Sequence, residues 1–168
     1  MDKAKRYSIF TLILFIVYVL LLTWIILFKL HFSFAEMDRV RNISLIPFQD
    51  GFGANEVYNM LFFIPLGIYI SLLKNRLGFL TKVIVILCSS LLFEILQFVF
   101  AIGRSDLTDL LCNLLGGVIG IGIYKLLFKL FKNKTNKVLN IVLLVFSVCI
   151  ILFFILLVTH AIPLRFNL

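Results

Sequence analysis

The apolar residues of this chain come in unbroken runs of about twenty, and such runs leave a backbone few choices. Twenty residues of α-helix rise about 30 Å, the thickness of a bilayer's hydrocarbon core. The 168 residues are 62% hydrophobic and only 14% charged, more apolar than a soluble domain can bury. In lipid every backbone N–H and C=O must find a partner within the protein, so the runs are expected to be helices. The expected fold is an all-α integral membrane bundle forming one domain over 1–168. Its five spans lie at about 7–28, 56–73, 81–102, 106–127 and 138–162.

Charge sets the expected orientation. With the N-terminus inside, the inner segments hold Lys3, Lys5, Arg6, Lys74, Arg76, Lys82, Lys125, Lys129, Lys132, Lys134 and Lys137. Lys29, Arg39, Arg41, Arg104 and Arg165 fall outside. Eleven against five is a positive-inside bias, which predicts a cytoplasmic N-terminus and an external C-terminus. The net charge of +8 does not indicate nucleic acid, because the basic residues sit in short blocks between apolar runs. The first run is too long for a signal peptide and lacks a small-x-small cleavage site, so it is expected to stay as an anchor. Cys88, Cys112 and Cys149 lie apart within apolar runs, and His31 and His160 are isolated. No disulfide framework, metal site or cofactor is expected.

Between the first two spans runs a connection of about 25 residues, 31–55, with Phe32, Phe34, Phe48 and Phe52. It is too aromatic for a freely solvated loop, and 43–48 is expected to lie in the interface or dip among the helices. Pro65 is expected to kink the second span near Leu61. No internal repeat and no low-complexity tract is evident.

Polar residues inside the apolar runs mark the candidate site. Ser90, Glu94, Gln97 and Ala101 share one face of the third span, since residues three and four apart are neighbours on a helix. Asp106, Asp109, Asn113, Gly117 and Gly120 share a face of the fourth. The two stripes are expected to face each other, because lipid cannot satisfy them. Gly116 and Gly120 form a GxxxG, and Gly117 and Gly122 add small positions for close helix approach. Asn55, Asn59, Phe63 and Gly67 recur at four-residue intervals on the second span.

Each feature also has a plainer reading. Asp106 and Asp109 fit a helix N-terminus as caps, Gln97 and Asn113 fit interhelical hydrogen bonds, and the glycines fit packing. Glu94, near the middle of its span, is the hardest to read as structural, because an ionisable residue at such depth is costly. It is expected to need a partner, with Asn59, Asn113 or a loop arginine as candidates. Arg104, ten residues further on, is expected about 15 Å up the helix axis.

These residues resemble the VanZ-like family of glycopeptide (teicoplanin) resistance-associated membrane proteins. The resemblance rests on Asn42-x-x-Leu45-Ile46-Pro47-Phe48, Asn59-x-x-x-Phe63-x-Pro65-x-Gly67, Glu94-x-x-Gln97 and Arg104-x-Asp106-x-x-Asp109-x-x-x-Asn113-x-x-Gly116-Gly117-x-x-Gly120. One departure is Leu114, where the family often has threonine. The resemblance implies a multi-pass protein of the bacterial plasma membrane linked to lipoglycopeptide tolerance, and supplies no mechanism.

The residues themselves allow three. In the first, a non-enzymatic protein binds a membrane lipid, a lipid-anchored drug or a lipid-linked cell-envelope precursor. Its outward-facing polar cluster comprises Glu94, Gln97, Arg104, Asp106, Asp109, Asn113 and Asn59, with Pro65, Gly67, Gly116, Gly117 and Gly120 packing around it. The second is an intramembrane enzyme with Glu94 and an aspartate as acid and base, although GxGD and HExxH motifs are absent from the sequence. The third is a small proton-coupled transporter, against which the lack of an evident repeat weighs. The order of preference is binding protein, enzyme, transporter. No residue is assigned a catalytic role, and no feature fixes an oligomeric state.

Overall fold

The computed structural model describes residues 3–28, 40–49 and 51–158. Most of the first half of the aromatic connection, with Lys29, His31 and Arg39, lies outside the described residues. So do His160, Arg165 and the chain's C-terminus.

The fold is mostly helical. The helices are α1 (Lys3–Phe28), α2 (Ala54–Leu73), α3 (Phe79–Phe100), α4 (Leu107–Phe131) and α5 (Thr135–Val158). Four helical segments are long and apolar enough to cross a membrane: Ser8–Leu27, Ala54–Leu73, Phe79–Phe100 and Leu107–Leu156. The last is a 50-residue stretch that takes in α4, a 3-10 turn at Lys132–Lys134, and most of α5.

In α1 the buried residues Thr11, Leu14, Tyr18, Leu22 and Ile25 follow one face, while Leu12, Ile13, Ile16 and Leu20 are exposed on the other. An apolar face turned outward in this way suits lipid. Thr11 donates to Asn140 at 3.0 Å, and Trp24 meets Phe154 edge-on. Contacts that advance together along both helices make α1 and α5 parallel. Pro65 is buried within an uninterrupted α2. It leaves the Leu61 carbonyl without its helical donor, and the Tyr18 hydroxyl donates to the adjacent Phe62 carbonyl at 2.7 Å.

The expectation of a purely helical fold needs correction, because the structure also has two short strands. β1 (Val40–Ser44) pairs in parallel with β2 (Ile102–Asp106), in the register Val40↔Ile102 to Ser44↔Asp106. The third span was expected to run to 102, but α3 stops at Phe100. Ala101 then takes the left-handed conformation, with φ 55°, and its N–H donates to Phe98 O. The chain turns back, and β2 descends beside the last turns of α3.

Among the described residues, helices α2 and α4 pack most closely. A Cβ on Gly116 would strike the Met60 carbonyl, one on Gly120 the Ile64 carbonyl, and one on Gly67 the Gly117 carbonyl. Only glycine lets the two backbones come this near. Met60 with Gly116 and Ile64 with Gly120 run in the same direction, so α2 and α4 are parallel. Helix α3 is antiparallel to α4, with Ser90 by Asn113, Ile86 by Gly117 and Lys82 by Tyr124. Two expectations change here. Gly120 packs on α2 and not on the third span, and Gly122 faces open space, where a Cβ would meet nothing within 4 Å.

The structure also contains a repeat that the sequence reading did not find. Helix–strand–helix occurs twice, as α1–β1–α2 and as α3–β2–α4, and each element runs parallel to its counterpart. Helices α2 and α4 begin 53 residues apart, as do their caps Gly53 and Asp106. The contacts exchange under the same shift, since Ile64 opposite Gly120 becomes Gly117 opposite Gly67. The strands are offset by a further nine residues, the length of the 45–53 loop, which has no counterpart after β2. The sequence trace is thin: Gly67-Ile68-x-Ile70-x-x-Leu73 recurs as Gly120-Ile121-x-Ile123-x-x-Leu126. Helix α5 stands outside the repeat.

Candidate functional site

The polar residues gather at the end of the bundle that carries the two strands. Helix α4 starts there because Asp106 caps it, its carboxylate accepting from the Thr108 N–H at 2.8 Å. Helix α2 starts beside it, with the Glu56 carboxylate accepting from the Gly53 N–H at 2.7 Å. The two N-termini lie side by side, and acidic residues in the first turns suit their shared positive end.

Asn59 and Asp109 join these two starts. The Asn59 amide donates to the Asp109 carboxylate at 2.6 Å, and both residues are partly exposed at the rim. Thr108, buried just below, accepts from the Phe48 N–H at 2.9 Å and so holds the 45–53 loop over the α4 start. Phe48 adopts φ 57° at this point. Leu45, Ile46, Phe48 and Phe52 are exposed along the loop. The rim therefore sets a carboxylate–amide pair beside a row of apolar side chains.

Deeper in the bundle, the Asn113 amide donates to Ser90 at 3.0 Å, both side chains being fully buried. The Asn113 Oδ1 has no hydrogen-bond partner among the described residues. Glu94 is also buried. Its Oε2 accepts from the Asp106 N–H at 3.0 Å, and its main-chain carbonyl accepts from the Ser105 hydroxyl at 2.9 Å. The sequence reading looked to Asn59, Asn113 or a loop arginine for a partner. One bond, from Asp106, comes from the backbone where β2 ends, because the reversal at Ala101 brings the chain back to the level of Glu94; the side chains of the loop arginines lie outside the described residues. Irregular backbone at such depth needs its N–H groups satisfied by protein, and Glu94 does this for Asp106.

The reversal also changes the expected place of Arg104. Its backbone lies in β2 opposite Asn42, not up a continuing helix; its side chain lies outside the described residues. The facing of the two stripes holds for Ser90 with Asn113 and for Glu94 with the Asp106 backbone, and Gly117 lies against Ile86 of α3. Gln97 turns to α1, where its amide donates to the Ile26 carbonyl at 3.0 Å. Ile26 lies in the last turn of α1, whose carbonyls lack helical donors. Pro65, Gly67, Gly116, Gly117 and Gly120 line the helix contacts below the polar layer.

Sequence reasoning missed Thr108 and Ser105, which tie the loop and the strand to the helices. Thr108 was detectable in principle as a hydroxyl in the first turn of α4. The use of Ser105 depends on the chain reversal, which has no comparable local signal. Among the described residues, no three His, Cys, Asp or Glu stand together as metal ligands would.

Comparison with known proteins gives a consistent assignment. The VanZ/LLP1 family model matches residues 15–131, which include α2, β2, α3 and all of the polar layer. The chain is 37% identical over 120 residues to Protein VanZ of Enterococcus faecium, covering 70% of this chain and 74% of that protein. No solved structure matches the chain. A match over this much of the chain, carrying the strand-flanked polar layer with it, makes the protein a member of the VanZ/LLP1 family.

Proposed function

We propose that the protein contributes to tolerance of glycopeptide antibiotics of the teicoplanin type, by binding a lipid-linked molecule of the bacterial cell envelope at the strand end of the bundle. It crosses the plasma membrane five times, with the N-terminus in the cytoplasm and the strand end facing outward. The observation that carries the reading is the rim: Asp109 and Asn59 offer acceptors and donors beside the exposed Leu45, Ile46, Phe48 and Phe52. A polar head with apolar chains needs both kinds of surface at one place. The ligand is a membrane lipid, a lipid-anchored drug or an envelope precursor, and no chemical step is required of the site.

The test compares wild type with Asp109→Asn and Asn59→Ala. Lipid-linked molecules that copurify in mild detergent are identified by mass spectrometry, and teicoplanin susceptibility is measured in cells expressing each variant. Both variants are expected to lose the copurifying molecule and the tolerance together. Retention of both properties by well-folded variants refutes the proposal. Turnover of the bound molecule by the purified protein would replace it with an enzymatic reading.

The tandem repeat favours a second reading, a small proton-coupled transporter, since parallel repeats recur in transporters. Proton-coupled flux in vesicles that is lost in Glu94→Gln would support it over simple binding.

A further inference from the structure

At the opposite end of the bundle a lysine side chain is packed into the protein. Lys82, in the first turn of α3, is only 5% exposed, yet it has no ion pair or hydrogen bond through its side chain among the described residues. Its ammonium lies 5.8 Å from the centroid of the Tyr124 ring. From the facing helix, the Lys125 ammonium lies 4.9 Å from the centroid of the Phe79 ring. The two lysines thus cross between α3 and α4, near enough to repel each other. An ammonium at the end of a largely buried side chain is favoured by a counter-charge, and a second positive charge beside it adds to that need.

The backbone adds to the same charge. Gly78 caps α3 without a side chain, and no side-chain cap takes up the free N–H groups of the first turn. Such a helix start attracts anions, and Lys125 sets its ammonium over Phe79, the first residue of α3, while Lys82 sets its own over Tyr124. No acidic residue lies between positions 57 and 93 or after 109, so no carboxylate from those stretches can serve here. Asp2, outside the described residues, is followed by Lys3, Lys5 and Arg6.

We infer that the α3 start, Lys82 and Lys125 form a binding site for the phosphate of an anionic phospholipid. A lipid is favoured over free phosphate because Phe79, Leu80, Leu126 and Phe128 are exposed around the two lysines and offer a bed for acyl chains. Basic pockets between membrane helices are known to take anionic headgroups. This site lies at the far end from the proposed envelope-ligand rim and does not depend on that reading.

The experiment uses the full chain in nanodiscs of mixed phosphatidylglycerol and phosphatidylcholine, with retained lipid counted by native mass spectrometry. Phosphatidylglycerol is expected to be retained preferentially. Lys125→Gln, at an exposed position, is expected to weaken that retention about fivefold, the effect of one lysine near a charged headgroup. Lys82→Gln should weaken it at least as much, and the exposed Lys134→Gln should leave it within about twofold. Should Lys82→Gln fail to fold, Lys125→Gln alone decides. Equal retention of both lipids, or Lys125→Gln indistinguishable from wild type, overturns the assignment. Stabilisation by inorganic phosphate without any by phosphatidylglycerol would overturn the choice of a lipid.

Discussion

Gly120 and Gly122 are two residues apart on α4, yet adding one methyl group to each should have opposite effects. At Gly120 the methyl meets the Ile64 carbonyl, a backbone atom that cannot swing aside. Restoring van der Waals distance requires α2 and α4 to part by on the order of 1 Å. Overpacking of this kind costs about 1–3 kcal/mol. It outweighs the gain of about 1 kcal/mol that alanine has over glycine in a helix only when the clash lies in the upper part of that range. A backbone target against closely packed helices puts it there, so Gly120→Ala should be net destabilising by about 1–2 kcal/mol. At Gly122 nothing lies within 4 Å, so only the propensity gain of up to about 1 kcal/mol remains. Thermal unfolding in one detergent should place Gly120→Ala below wild type and Gly122→Ala level with it or above. A chain of this size moves about 2–4 °C in Tm per kcal/mol. Gly122→Ala destabilised as much as Gly120→Ala would refute the close α2–α4 contact and the outward direction of Gly122.

Other perturbations test other parts of the architecture. Gly67→Ala should match Gly120→Ala in sign and approximate size, because the repeat places both glycines in equivalent contacts; a neutral result in the same unfolding assay would break the equivalence. Glu94→Leu should leave the Asp106 N–H without its acceptor and cost about 1–3 kcal/mol, whereas Glu94→Gln should keep the fold; amide exchange at Asp106 and Tm distinguish them. A double-mutant cycle on Ser90→Ala and Asn113→Ala should give a coupling of about 0.6 kcal/mol, the usual size for such bonds in membranes, and zero coupling would remove the bond. Thr108→Val should free the Phe48 N–H and speed proteolysis within 45–53, with little change in Tm.

The long apolar elements were legible because their length and composition leave few alternatives in lipid. The helix start at Asp106 was legible from capping chemistry. The strands were not. Residues 102–106 continue a polar stripe that a helix could carry, and the reversal depends on Ala101 entering a left-handed conformation normally signalled by glycine or asparagine. Without a signal for that turn, neither the Asp106 N–H beside Glu94 nor the place of Arg104 in β2 could be read. The glycines were visible as packing residues, but their spacing does not say which partner each one meets. Gly116 and Gly120 approach α2, Gly117 also meets Ile86 on α3, and Gly122 approaches neither. The repeat escaped notice because its two copies share a helix contact more than a sequence.

That shared contact bears on how the chain is made. Helix α4 follows α2 by 53 residues, roughly 3–10 s of synthesis at common rates. Through that interval α2 waits without its companion. Because the repeat exchanges the Ile64–Gly120 and Gly117–Gly67 contacts, an α2–α2 pair would set Ile64 of one nascent chain against Gly67 of another in the same manner. Phe63 would then stand where α4 has Gly116, against the Met60 carbonyl, so copies of α2 cannot approach as closely as α2 and α4 do, and the newborn helix is kept for the α4 of its own chain.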